Sequence, residues 1–364
     1  MKRVIVLGAT GSIGSSTLRL IKDHPQDLAL VGATAHSNFD KLKEIATLFN
    51  IKNGIFSTKT DEDALSKVLD IDCDIVVNGI SGSPGLKASI MVLEKGRDLA
   101  LANKETIVMA GNLIKKLAAA KNLKILPVDS EHSAIFTLIE KIGGENVSEI
   151  ILTASGGPFK NLPKEQLENV TVARALNHPT WKMGPKITID SASLANKGLE
   201  VIEAKWLFDV PEEKIKVVIH PQSLVHSFVR THDGILYGQI SKPDMRQPIF
   251  AALTHPNCLD SGLPILDLWE TGSLEFSKPR FEDFPMLSLA YDAAKYESTS
   301  IAYNAANEVA VAAFLNEEIS FTDIPRICGK VLADFHKCSC ENFLRVFELD
   351  ERARKLAYEG IRKC

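Results

Sequence analysis

Short apolar runs alternate with longer amphipathic segments over the first third of the chain. These runs are residues 4–7, 28–33, 75–77, 98–101 and 123–126. Runs that are apolar throughout are typical of strands buried on both faces, and the segments between them, such as residues 39–49, have helical spacing. Strands that alternate with helices predict a parallel sheet with helices on both of its faces. We place this domain at residues 1–128.

The pattern changes after this first region. Further strand-like runs lie at residues 147–155, 215–219, 224–229 and 235–240. A long stretch rich in Pro and Gly, residues 158–185, separates the first two of these runs and contains a short helical pattern at Lys164–Asn169. Long loops in compact domains often act as lids. We predict a central α+β domain at residues 129–255, with a lid loop at about 155–185.

The final part of the chain is helical in period. Residues 256–285 are rich in Pro, Gly and acidic residues and are interpreted as a linker. Residues 286–364 predict a helical bundle, in which Thr322 and Asp323 precede Pro325 as a helix start.

The composition of the chain favours a globular protein and argues against several classes of partner and site. The chain has 364 residues, 45% apolar and 24% charged, which is typical of a globular protein with more than one domain. A net charge of −4 without a basic block argues against nucleic acid as the main partner. The six cysteines form no CxxC pair, which indicates neither a zinc site nor a disulfide framework and favours the cytoplasm. The early apolar run, Val4–Leu7, is too short for a signal peptide, and no run has the roughly 20 apolar residues of a membrane helix.

A glycine-rich motif follows the first predicted strand. Gly8, Gly11 and Gly14 lie where that strand gives way to a helix, which favours a dinucleotide whose pyrophosphate binds at the helix N-terminus. A tight turn without a ligand is the alternative. No carboxylate occurs near the end of the second strand before Asp40, which favours NADP over NAD, although no basic residue precedes Lys41 there either.

Two carboxylates, Asp129 and Glu131, follow an apolar run that is typical of a buried strand. Residues i and i+2 of a strand point to the same side, so the pair is expected to face one point and to repel unless a cation neutralises it. A hard divalent cation would do so.

The segment DSASLANKGLEVIEAKW offers a third carboxylate. Asn196 and Lys197 precede Glu200 by four and three residues, so the three share one face of a helix. Ser191, Ser193, Asn196 and Lys197 are donors suited to a phosphate. The alternative for Glu200 is an ordinary exposed helix glutamate. Glu203 is given no role and serves as the internal control for Glu200.

The remaining candidates lie in the segments ANKET and NHPTWKMGP and at His132. In ANKET, Asn103 could contact a cofactor and Lys104 a substrate oxygen, or the segment could be a helix start with a solvated lysine. In NHPTWKMGP, His178 and Trp181 fit a lid that excludes water, or a packed surface loop. His132 has no assigned role, because a lone histidine is more often structural than a ligand.

Taken together, the motifs GATGSIG, ANKE, PVDSEHSAIF, TASGGPF, NHPTWKMGPKITIDSASLANKGLEVIEA, HPQSLVHSFV and NAANEVAVAAFL, in this order, closely resemble the 1-deoxy-D-xylulose 5-phosphate reductoisomerase family. The resemblance runs from residue 1 to about residue 350. It implies an NADPH-dependent oxidoreductase and isomerase that needs Mn²⁺, Mg²⁺ or Co²⁺ and makes 2-C-methyl-D-erythritol 4-phosphate for isoprenoid synthesis. It also implies a cytoplasmic or plastid homodimer. The implied α/β architecture is an N-terminal Rossmann-like domain, a central α+β catalytic domain and a C-terminal helical bundle.

The resemblance also assigns residues. The implied metal ligands are Asp129, Glu131 and Glu200, and Lys104 and His178 join them as catalytic residues. Substrate contacts are implied for Lys104, Ser130, Glu131, Ser155, His178, Trp181, Ser191, Asn196, Lys197 and Glu200. Cofactor contacts are implied for Thr10, Gly11, Ser12, Ile13, Asn38, Asn103, Glu105 and Gly184. Ser37 stands where members of the family often carry a basic residue suited to the NADP phosphate.

Two other functions remain open from the sequence. A metal-free NADP-dependent dehydrogenase, or a dinucleotide sensor without activity, would explain the first domain but not three carboxylates near a Ser/Asn/Lys cluster. If the chain is a reductoisomerase, the carbon–carbon rearrangement could follow a retro-aldol/aldol route or an α-ketol shift, and the sequence is compatible with both.

Overall fold

The structure is a computed structural model, and it describes residues 1–181 and 183–362. Lys182 of the predicted lid, and Lys363 and Cys364 of the predicted helical region, lie outside the described residues. The chain forms two compact units. The first contains Met1–Thr106, Ile114–Ser133 and Asp244–Pro264, and the second contains Ile107–Leu113, Ala134–Pro243 and Ile265–Cys364.

The first unit is built on a six-stranded parallel sheet. In chain order its strands are β1 (Lys2–Leu7), β2 (Leu28–Ala35), β3 (Ile55–Ser57), β4 (Ile75–Asn78), β5 (Asp98–Leu101) and β6 (Ile125–Pro127). Their order in the sheet is β3-β2-β1-β4-β5-β6, and every pairing is parallel. Val4–Leu7 at its centre are fully buried. The predicted parallel sheet is confirmed, and β3 is a strand that the apolar runs did not indicate.

Helices cover this sheet and form much of the second unit. In chain order they are α1 (Ser12–Asp23), α2 (Phe39–Leu48), α3 (Ala64–Leu69), α4 (Pro84–Glu94), α5 (Lys104–Ala120), α6 (Ser130–Ile142), α7 (Val172–Ala175), α8 (Pro185–Ser193), α9 (Ala195–Phe208), α10 (Arg246–Thr254), α11 (Leu268–Thr271), α12 (Pro285–Ala293), α13 (Glu297–Leu315), α14 (Asp323–Ala333) and α15 (Phe343–Ile361). The short helical pattern predicted at Lys164–Asn169 is a 3₁₀ helix.

The second unit contains a four-stranded mixed sheet. Its strands are β7 (Val147–Ala154), β8 (Ile215–Ile219), β9 (Val225–Thr231) and β10 (Leu236–Ile240), in the order β10-β9-β7-β8. β7 pairs parallel with β8 and antiparallel with β9, and β10 is an edge strand. This arrangement matches the predicted α+β character of the region.

The C-terminal helices belong to the same unit as this sheet. α13 lies at their centre, and Tyr303 on it is fully buried and donates a hydrogen bond to the Met286 carbonyl oxygen, 3.1 Å away. Residues 244–264 belong to the first unit, so the two compact units do not follow the boundaries of the predicted central domain and linker. The division of the chain into functional regions stays a prediction. Within the described part of the chain, no helix combines the length and the apolar character that crossing a membrane requires.

Candidate active site

The turn between β1 and α1 carries the glycine-rich motif. Gly8 has a φ of +76°, and a Cβ added there would lie 2.9 Å from the Gly79 carbonyl oxygen. A Cβ on Gly14 would lie 2.4 Å from the Gly8 carbonyl oxygen, so only glycine lets α1 pack directly on this turn. Gly11 and Ser12 are exposed at the start of α1, which has no side-chain cap. An exposed helix start with uncapped N–H groups, at the end of β1, fits a pyrophosphate.

Two predicted cofactor residues cap helices. The Asn38 Oδ1 accepts the backbone N–H of Lys41, 3.1 Å away, at the start of α2. The buried Asn103 accepts the N–H of Thr106 at the start of α5, and its amide donates to the Ile80 and Gly82 carbonyl oxygens at 2.8 Å. The alternative reading of ANKET as a helix start is therefore confirmed. The reading of its lysine as solvated is wrong, because Lys104 is only 5% exposed.

Lys104 forms a buried ion pair with Asp129. The Nζ and Oδ2 atoms are 2.6 Å apart, and the two side chains are 6% and 11% exposed. Burial raises the pKa of Asp129, but the Lys104 ammonium and then His132 outweigh burial and hold that pKa well below its usual range. The carboxylate is therefore ionised at neutral pH, as a metal ligand must be.

The strand interpretation of Asp129 and Glu131 is wrong. β6 ends at Pro127, and Ser130 begins α6, so the acidic pair lies at a strand-to-helix junction. The Asp129 side chain accepts the backbone N–H of Glu131, 3.3 Å away, and its backbone oxygen accepts the N–H of Ser133. Acidic residues at a helix start satisfy its unpaired N–H groups and are stabilised by the helix dipole. The junction, rather than strand alternation, determines how this pair is oriented.

In the second unit, α9 places the NKGLE residues as predicted. The Asn196 amide and the Lys197 ammonium both bind the carboxylate of Glu200. Lys197 and Glu200 are 3% and 1% exposed, so the alternative of an exposed glutamate is wrong. Glu203 is also 1% exposed. A residue buried to this degree cannot serve as a neutral control for Glu200.

A histidine joins two predicted substrate-binding serines in the same unit. The His178 Nδ1 accepts the backbone N–H groups of Thr180 and Trp181 at 3.1 and 2.9 Å. The proton therefore belongs on Nε2, which lies 3.2 Å from the Ser155 Oγ and 3.1 Å from the Ser191 Oγ. Burial lowers the pKa of His178, so the ring is neutral at pH 7. The cluster gathers one N–H and two hydroxyl donors, which suits an anion.

The remaining predicted residues have less defined surroundings. Ser130 donates its hydroxyl to the Glu131 Oε2, 2.7 Å away, and Glu105 is 7% exposed. Trp181 is half-buried, and Gly184 is an exposed residue that precedes α8.

A buried polar contact that the sequence did not indicate supports the histidine cluster. Asp190, one residue before Ser191 on α8, is 1% exposed and accepts the amide N–H of Asn307 on α13, 2.8 Å away. Lys186 pairs with the same carboxylate at 2.7 Å. The sequence gives only a general signal, because Asn304 and Asn307 are both polar positions in the largely apolar α13. This contact fixes the end of α8 that carries Ser191.

Comparison with known proteins finds relatives that match almost the whole chain. Sequence-family profiles for the 1-deoxy-D-xylulose 5-phosphate reductoisomerase match residues 4–71 and 51–111, and profiles for its C-terminal domains match 125–208 and 240–356. The reductoisomerase of Treponema denticola is 48% identical over 370 residues, which cover 99% of this chain and 97% of that protein. That of Geotalea daltonii is 46% identical over 379 residues and 99% of each chain.

The chain belongs to the 1-deoxy-D-xylulose 5-phosphate reductoisomerase family. Two solved reductoisomerase structures superpose on all of it with a TM-score of 0.91 and 37% identity. The first is a complex with NADPH, fosmidomycin and magnesium, and this chain covers 98% of it. The other, from Zymomonas mobilis in complex with NADPH, is covered to 100%.

Replacing Lys104 by Met is expected to destabilise the metal-free protein by about 3–5 kcal/mol, because the charge of Asp129 would remain buried without its lysine. Urea denaturation with a chelator present measures this loss. Lys95→Met is the matched control, since Lys95 and its partner Asp70 are 40% and 60% exposed, and the expected change is below about 1 kcal/mol. Equal stability of the two variants would show that the Lys104–Asp129 pair does not hold the junction.

Proposed function

We propose that this chain converts 1-deoxy-D-xylulose 5-phosphate into 2-C-methyl-D-erythritol 4-phosphate, with NADPH as the reductant and a divalent cation as the electrophile. The reaction is a step of the non-mevalonate route to isoprenoid precursors. The family membership carries this proposal. Two local features fit the proposed reaction: the glycine-rich turn between β1 and α1, and the ionised carboxylate of Asp129.

The carboxylates of Asp129, Glu131 and Glu200 are the proposed cation ligands. Carboxylate oxygens are the donors that Mg²⁺ and Mn²⁺ prefer, and the low pKa of Asp129 keeps that oxygen donor available at neutral pH. When bound, the cation would polarise the ketose carbonyl as a Lewis acid, and the nicotinamide would supply the hydride. Lys104, beside Asp129, is the proposed donor to a substrate oxygen.

The substrate phosphate is proposed to bind in the second unit. His178 already lies within hydrogen-bond distance of both Ser155 and Ser191, and Asn196 and Lys197 on α9 are proposed to extend this donor set. The phosphate takes no part in the rearrangement, so its binding free energy is available to orient the reacting carbons. Trp181 is the proposed cover that excludes water.

The protein is also proposed to act as a homodimer in the cytoplasm. Along the edge strand β10 and the residue before it, Ile235, Leu236, Tyr237 and Ile240 are 39–50% exposed. Natural proteins protect long apolar sheet edges, and a second copy would do so by extending the sheet. The free thiols of Cys73, Cys258, Cys328, Cys338 and Cys340 suit a reducing compartment.

Product analysis tests the proposed function. The full chain, incubated with 1-deoxy-D-xylulose 5-phosphate, NADPH and Mn²⁺, is expected to form 2-C-methyl-D-erythritol 4-phosphate, detected by mass spectrometry and NMR. Excess EDTA is expected to stop the reaction and added Mn²⁺ to restore it. A reduced product with an unrearranged carbon chain, formed despite EDTA, would favour the metal-free dehydrogenase instead.

Glu200→Gln tests the proposed third ligand. Loss of one carboxylate charge is expected to lower turnover at limiting Mg²⁺ by at least about 100-fold and to raise the Mg²⁺ concentration needed for half-maximal rate. Glu359→Gln, at an exposed position of α15, is the control and is expected to leave both values unchanged. A Glu200→Gln variant with wild-type metal dependence and a wild-type melting temperature would remove Glu200 from the ligand set.

The double variant Leu236→Lys and Ile240→Lys is expected to sediment with the molar mass of one chain, because charged side chains on an edge strand oppose pairing. The matched control is Leu344→Lys on α15, where the leucine is 70% exposed, and it is expected to leave the dimer intact. Dimers that persist in the double variant would place the interface elsewhere.

A further inference from the structure

Lys41 is a half-buried lysine whose charge has no local counterion. It is the third residue of α2, and among residues 1–181 and 183–362 no carboxylate lies within ion-pair distance of its Nζ. The nearest acidic residue in sequence, Asp40, has a side chain that is 95% exposed and pairs with Lys43 at 3.7 Å. A partly buried ammonium without an anion is a favourable partner for an anionic ligand.

The hydrogen bonds of Lys41 place it at the glycine-rich turn. Its Nζ lies 3.3 Å from the Thr10 carbonyl oxygen and 3.3 Å from the Ser15 Oγ. The lysine therefore reaches from the start of α2 to the turn that follows β1. In dinucleotide-binding folds, the pyrophosphate binds at the start of the first helix, here α1. The adenosine ribose binds at the end of the second strand, here β2.

No acidic side chain that would repel a phosphate lies at the end of β2. An acidic residue at this point binds the two ribose hydroxyls of NAD and repels the 2′-phosphate of NADP. Here β2 ends at Ala35 and is followed by His36, Ser37 and Asn38, so the segment before α2 carries no carboxylate. The ring of His36 lies 3.1 Å from the Thr58 Oγ1, and Asn38 caps α2. Ser37 is exposed beside them as a hydroxyl donor.

We propose that Lys41 binds the 2′-phosphate of NADPH and thereby determines the preference of this enzyme for NADPH over NADH. The inference deepens the proposed function and rests on it. Both present hydrogen bonds of the Nζ are long and go to uncharged oxygens, so exchanging them for a phosphate dianion replaces weak contacts by a charge-assisted one. The uncapped, exposed start of α1 remains available for the pyrophosphate, which both cofactors share.

Calorimetric titration of the full chain with NADPH and with NADH tests this role without measuring turnover. Lys41→Met is expected to weaken NADPH binding by about 10- to 100-fold, as for loss of a charged hydrogen bond. NADH binding is expected to change less than about twofold, because NADH lacks the phosphate. Lys41→Arg is expected to retain most of the preference for NADPH. Lys43→Met, on the exposed side of the same helix, is the matched control and is expected to bind both cofactors like wild type.

The outcomes separate this inference from the proposed function. Equal loss of affinity for both cofactors in Lys41→Met, or no loss for either, would overturn the role of Lys41. A wild-type chain that binds NADPH and NADH equally well would overturn the inference alone, since reduction could still proceed. A wild-type chain that binds neither would overturn the proposed function and this inference together. Melting temperatures of all variants verify that they are folded, and Lys41→Gln, for which the same selective loss of NADPH affinity is expected, tests the role if the methionine variant is unstable.

Discussion

A carboxylate that is to hold a cation must keep its charge while buried, and this constraint organises both units. Each of three buried acidic side chains is balanced by a lysine of the same unit, in the pairs Lys104–Asp129, Lys197–Glu200 and Lys186–Asp190. An unpaired buried carboxylate would take up a proton rather than remain ionised. Because a lysine pairs with each of these three carboxylates, their burial does not by itself require a metal ion.

The sequence predicted what is encoded locally. The parallel sheet follows from apolar runs, and the shared face of Asn196, Lys197 and Glu200 follows from helical spacing alone. The reading of Asp129 and Glu131 as a strand pair failed because the apolar run continues to Val128, whereas β6 ends at Pro127 and the acidic pair begins a helix. A carboxylate that caps a helix start competes with strand alternation, and a short sequence window does not show which prevails.

Burial and long-range contacts could not be predicted. The polar face of α9 has the pattern of a solvated surface, and Glu200 and Glu203 are nevertheless 1% exposed. Whether a polar face is buried depends on polar groups that pack against it, and these are distant in sequence. Asn307 reaches Asp190 across 117 residues, and His178 reaches Ser155 across 23 residues. Local periodicity carries no record of such pairings.

The lysines at the proposed ligand sites differ in whether a carboxylate already matches their charge. Lys104 and Lys197 are matched by carboxylates that are also the proposed metal ligands. Lys41 faces the glycine-rich turn with uncharged partners only, so its charge is balanced when an anion arrives. A lysine that already pairs with a carboxylate offsets the charge of that proposed ligand, whereas Lys41, with uncharged partners, is suited to discriminate between cofactors that differ by a single phosphate.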